Sequence, residues 1–190
     1  RYVDINGIHR KISDLFSKLS IDEAELSQTE AIQLVERITD YIDSDRTPRL
    51  DGAEDERYLS SAFPYRAANR AIASVSELRA VDGITPELYK RIAPFLSVWP
   101  DDGSKINILT APAEVLAALN EDDSLEPLSQ QQVAQIIELR TDGMLVDVDS
   151  FLESPLFSED STADLRAMVD VKSSWFLLDS RVDIADRERR

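Results

Sequence analysis

Apolar residues recur at helical spacing through most of the chain and alternate with polar ones only near its two ends. At the start, Tyr2-Val3-Asp4-Ile5 alternates and predicts a short strand that turns at Asn6-Gly7. Ile8, Ile12, Leu15, Phe16 and Leu19 then share one face of a predicted helix. Ser27 and Glu30 read as a capping box, and Ile32, Val35, Ile38 and Ile42 continue from it as an apolar stripe. An acidic loop with Pro48 and Gly52 follows. Ser74 and Glu77 open a short helix that Gly83 ends, and Thr85-Pro86 open the next.

Further along, Ile106-Asn107-Ile108-Leu109 predicts a strand that turns at Thr110 into an apolar helix, with Pro112 in its first turn. Val115, Leu116 and Leu119 form that helix's core face, and Asn107 is placed to fix the turn by side-chain-to-backbone hydrogen bonds. Ser129 and Gln132 cap another helix that Gly143 stops, and "TADLRAMV" at 162–169 predicts one more. The last stretch, "SSWFLLDSRVDIAD", places Phe176, Leu178, Val182 and Ile184 on one face of a strand. Strands at both ends with helices between define an α+β class, in which terminal strands pair around a helical insertion. Two helix–turn–helix units, near 74–98 and 110–142, form a loose internal repeat.

Composition narrows the function. With 43% hydrophobic residues in 190, the chain has material for a sizeable core. Its formal net charge of −16 argues against an electrostatic grip on phosphates, which needs clustered Lys and Arg. There is no cysteine, so disulfides, thiolate metal sites and thiol nucleophiles are excluded. The single histidine, His9, is a poor catalyst candidate, and no nucleophile elbow, Walker loop or zinc motif occurs. The chain therefore reads as no enzyme. No apolar run approaches a membrane span, and the ends at Arg1 and "DRERR" read as cut edges of a longer protein.

Two features carry candidate chemistry. "VDGIT" at 81–85 resembles the turn of a helix-hairpin-helix module, in which backbone N–H groups meet phosphate. Here the turn holds Asp82, and the second unit's connection holds Glu121, Asp122 and Asp123, so a nucleic-acid-binding module is the alternative reading and the weaker one. The second feature is "YIDSDRTPRLDGAEDERY", where Asp43, Asp45, Asp51, Glu54, Asp55 and Glu56 crowd a loop that Pro and Gly allow to wrap. Ca²⁺ takes about six to eight oxygens from such loops. Spacing leaves two readings open: a cation loop, or a solvated loop whose acids pair with Arg46, Arg49 and Arg57.

The order of "DINGIHRKISDLF", "GAEDERYL", "PYRAANRAIASVSELRAVDGITPELYKRIAPFLSVWP", "INILTAPAEVLAAL" and "SSWFLLDSRV" resembles the type II secretion system protein K family, from Asp4 to about Asp186. The resemblance implies a pilin-like α/β domain, incomplete here, with a large all-helical insertion between its β-strands. Residues 1–8 and 171–190 would belong to the pilin-like part. Residues 9–170 would form the insertion, in two lobes of about 9–103 and 104–170. It also implies a minor pseudopilin at the pseudopilus tip, bound to minor pseudopilins I and J, with secreted cargo or the outer-membrane secretin as further contacts and no nucleic acid. The resemblance further implies a periplasmic domain of a bacterial protein held to the inner membrane by an N-terminal helix expected to lie before this chain. A dinuclear calcium site is implied as well. Its ligands in this sequence would come from the carboxylates of "DSD" and "GAED", namely Asp43, Asp45, Glu54 and Asp55, with Asp51 beside them.

Overall fold

A computed structural model describes residues 3–4, 27–98, 105–120, 126–158, 162–176, 178, 180, 182–184 and 187–189. The helix predicted over 8–19, His9, and the acids at 121–123 lie outside the described residues. What is described is a set of helices joined to small two-stranded ladders, an α+β arrangement.

Helix α1 spans Gln28–Ile42 and begins as its sequence predicts: the Ser27 hydroxyl accepts from the Glu30 N–H, and the Glu30 carboxylate accepts from the Ser27 N–H. Those bonds hold the Glu30 carboxyl below its usual range. The buried face runs through Ala31, Leu34, Ile38, Tyr41 and Ile42, whereas Ile32 and Val35 are only half-buried. The stripe is thus turned about one position from the expected one. Ala31 and Tyr41 face the core together with Leu34, Ile38 and Ile42, and Ile32 and Val35 flank it.

The acidic stretch is not loop throughout, because Asp55–Leu59 forms a short helix, α2. A 3-10 helix follows over Val75–Ala80, capped by Ser74 and Glu77 as expected but wound more tightly than an α-helix. Gly83 then has φ +89, which L side chains rarely adopt, and a Cβ there would also meet Leu34 and Arg37 at 2.8 Å. Thr85 caps α3, Pro86–Ile92, with Pro86 at its start. Strand β1, Val3–Asp4, pairs in parallel with β2, Leu96–Ser97.

Beyond it, β3, Ile106–Asn107, pairs in parallel with β4, Val169–Asp170. The Asn107 side chain accepts from the Leu109 N–H at 2.9 Å and donates to the Ser173 hydroxyl at 2.9 Å, so it fixes the turn and ties it to the chain after β4. Pro112 stands at the N-cap of α4, Ala113–Ala117, one place earlier than expected. Val115, Leu116 and Leu119 are fully buried. Helix α5, Gln130–Thr141, has its Ser129/Gln132 capping box. It ends in a Schellman motif: Gly143 has φ +70, Met144 N–H reaches Leu139 O at 2.9 Å, and Gly143 N–H reaches Arg140 O at 3.2 Å. Arg140 donates back to Ala111 O at 2.9 Å, which pins this helix end to the β3–α4 turn.

Two more short helices follow, α6 over Val148–Leu152 and α7 over Ala163–Met168. The sequence reading missed α6, although Asp147 and Ser150 give it a capping box. Among the described residues of the long C-terminal strand, Val182–Ile184 alone forms a strand, β5, and it pairs antiparallel with β6, Arg187–Arg189. The terminal strands do not pair with one another among the described residues. Each parallel ladder instead joins the two ends of one stretch of chain, since the long intervening segment supplies the crossover that parallel strands require. Among the described residues, no helix is long and apolar enough to cross a membrane.

Candidate metal centre

Helix α1 runs out at Ile42 with Asp40, Asp43 and Asp45 at or just beyond its last turn, which holds no basic residue. This is the negative end of the helix dipole, where acids are unfavourable unless a cation answers them. One answer is Arg49. Its guanidinium donates to Asp40 Oδ1 at 2.5 Å and to Asp43 Oδ2 at 2.7 Å, and its backbone N–H donates to Asp40 Oδ2 at 3.0 Å. Asp40 is fully buried, so this pairing is what allows its charge to stay inside. The bond that Arg49 donates to the Asp43 carboxylate is the largest influence raising the Arg49 pKa.

The chain is then folded back onto α1. The Asp51 N–H donates to Glu36 at 2.7 Å, and Arg37 Nε donates to Asp51 O at 3.3 Å. Gly52 passes so close that a Cβ there would lie 1.8 Å from Asp40 Oδ2. The requirement at Gly52 is therefore space. This return delivers Glu54, the N-cap residue of α2, to the acids at the end of α1.

Glu54 makes no side-chain cap bond to its own helix. It lies instead with Asp43 and Asp45, each offering one carboxylate oxygen, and the three oxygens all lie within 4.8 Å of one another. Both Glu54 oxygens and Asp43 Oδ1 are buried with no hydrogen-bond partner. Asp45 gives one oxygen to the Thr47 N–H at 2.7 Å. Burial raises the Glu54 pKa, and the charges of Asp40, Asp43 and Asp45 raise it further, against a smaller opposing effect of the Asp55 backbone.

Buried carboxylates without partners are costly, and a hard cation is the partner that relieves them all at once. Three carboxylate oxygens so close together can share one metal ion. Glu54 is buried, Asp43 half-buried and Asp45 exposed, and together they could hold a metal ion. The other two expected ligands are placed differently. The Asp55 carboxylate pairs with Arg66 and accepts from the Ala67 N–H at 3.1 Å, and Asp51 meets the site's surroundings through its backbone. Sequence reasoning missed Asp40. The signal was present: an acid between Ile38 and Ile42 in an apolar stripe needs a counter-charge nearby.

The second candidate, the turn at 81–85, carries Asp82 into ion pairs with Arg37 at 3.3 Å and Arg57 at 3.2 Å. These bind the turn to α1 and α2. The partners of Asp82 are thus basic groups of the same chain.

Comparison with known proteins decides the family. Residues 8–101 and residues 106–172 match two models, both described as type II secretion system protein K. The chain belongs to the type II secretion system protein K family. A protein K of Pectobacterium carotovorum subsp. carotovorum is 30% identical over 158 residues, covering 83% of this chain and 48% of that protein. Protein K of Pseudomonas aeruginosa is 33% identical over 157 residues, covering 82% of this chain and 44% of the relative. The chain thus spans about half the length of the curated relatives it matches. In fold it is similar to a chain in the crystal structure of the GspK-GspI-GspJ complex from the enterotoxigenic Escherichia coli type 2 secretion system. That likeness has a TM-score of 0.68 at 24% identity and covers 90% of this chain and 62% of the other.

Proposed function

We propose that this chain is the periplasmic part of a minor pseudopilin at the tip of the type II secretion pseudopilus, assembling with minor pseudopilins I and J. Its family membership carries the reading, and the likeness of fold to a chain in a GspK-GspI-GspJ crystal supports it. In this reading the helices from 9 to 170 form an insertion, in lobes of about 9–103 and 104–170, carried by pilin-like strands at 1–8 and 171–190. Two observations support that division. The parallel ladders close Val3 onto Leu96 and Ile106 onto Val169, and the two family models meet between 101 and 106. A helical block larger than the strands that carry it would project over the place of the next subunit, so bulk would help to initiate or cap the filament. The full protein would be held to the inner membrane by a segment outside this chain. Mixing the chain with the soluble domains of I and J tests the assembly.

The cation of the acidic centre is Ca²⁺ in this reading, and its role is structural. The centre offers only oxygens, and a hard, flexible ion with many ligands suits a loop that supplies part of a shell and leaves the rest to water or carbonyls. An ion that binds only the folded chain stabilises it by mass action. Millimolar Ca²⁺ should therefore raise the melting temperature over that in chelator by several degrees, and Mg²⁺ should do less. Glu54→Gln should remove most of that gain, with the shift read by calorimetry. An unchanged melting temperature with Ca²⁺ would reduce the centre to a solvated acidic loop.

A further inference from the structure

The geometry points to Arg49 as the resident cation of the acidic centre, one that limits it to a single divalent ion. This inference rests on the cation reading above and concerns how many ions the centre takes and what sets that number. The carboxylate oxygens divide into two groups. Both oxygens of buried Asp40 and one of Asp43 are bound by Arg49, through its guanidinium and its backbone N–H. The second Asp43 oxygen and both Glu54 oxygens are buried without partners, and Asp45 lies within reach of them. Asp43 stands between the groups, giving one oxygen to each. A guanidinium bridging two carboxylates does the work of a cation between them, and it does so at fixed charge, since arginine does not deprotonate in proteins.

Two consequences follow. The free oxygens suffice for one ion with its remaining ligands from water or backbone, so the capacity is one, where the family resemblance implies two. The position between Asp40 and Asp43 is also filled at every Ca²⁺ concentration. That keeps the end of α1 partly neutralised and Asp40 paired even when the divalent ion leaves. Gly52, pressed against Asp40, then keeps the returning chain in place, so the centre stays ready to rebind.

The test counts ions bound by the folded chain, by equilibrium dialysis with radioactive Ca²⁺ and by native mass spectrometry. Wild type should bind one. Arg49→Met should bind two, because the Asp40 and Asp43 oxygens are released, and Arg49→Lys should bind one. Arg49→Met leaves a buried charge and could fail to fold without the ion, so the double variant Asp40→Asn with Arg49→Met provides the control. It has neither charge and should return to one. Two ions in wild type would overturn the limit and leave the cation reading intact. One ion in Arg49→Met would overturn the role of Arg49. No ion in any of them would overturn the cation reading itself.

Discussion

Replacing Tyr58 by alanine is expected to destabilise the chain by about 3–5 kcal/mol, the usual cost of emptying a buried aromatic site. For a chain of this size that lowers the melting temperature on the order of 10 °C. Tyr58 is 2% exposed and lies edge-on to Tyr41, with ring centroids 5.5 Å apart, and against Tyr65 at 5.2 Å. It joins α2 to α1 and to the chain after α2, so its loss opens the packing that carries Glu54. Tyr58→Phe should behave quite differently. The hydroxyl is buried with no hydrogen-bond partner, so removing it should be neutral or stabilising by up to about 1 kcal/mol. Burial is the main cause raising the Tyr58 pKa far above its ordinary value of 10.0. A group whose pKa is raised on folding gives stability that is present below the unfolded value and lost as pH rises. Wild type should therefore lose stability above about pH 10, and Tyr58→Phe should lose less, as alkaline denaturation curves would show. Equal stability of Tyr58→Ala and wild type would contradict this packing.

Asp40→Ala is the second large effect, with an expected loss of about 2–4 kcal/mol. Breaking a buried ion pair by removing one partner commonly costs about 3–5 kcal/mol. Here the surviving partner, the Arg49 side chain, is 41% exposed and can recover water, which lowers the cost. The Arg49 N–H also loses its acceptor, and the turn at Gly52 loses the carboxylate against which it packs. Asp40→Asn keeps the shape and one acceptor oxygen and should cost less than half as much. Urea denaturation of the two variants measures the difference, and equal losses would show that packing outweighs charge at this position.

Much of this was legible in the residues because the signals were local. Ser27 with Glu30, Ser129 with Gln132 and Thr85-Pro86 mark helix starts by hydrogen bonds that span three residues, and each stands where its sequence placed it. Asn107 fixes its turn for the same reason. What the residues did not reveal was mostly settled by distant partners. The pairing of Val3 with Leu96 depends on everything between them, and the exposure of Phe176 and Leu178 outside any strand contradicts an alternation that looked sound locally. The acidic centre was half legible. Asp43, Asp45 and Glu54 belong to a visible run of acids, yet their meeting depends on Asp40, Arg49 and Gly52, a buried pair and a close approach that spacing cannot show.

Assembly is tested most directly by size-exclusion chromatography of the chain mixed at micromolar concentration with the soluble domains of minor pseudopilins I and J. A tip subunit should leave its own elution position and appear in one peak with both partners, one copy of each by light scattering. Three separate peaks, each at the position of the isolated protein, would contradict the proposed function.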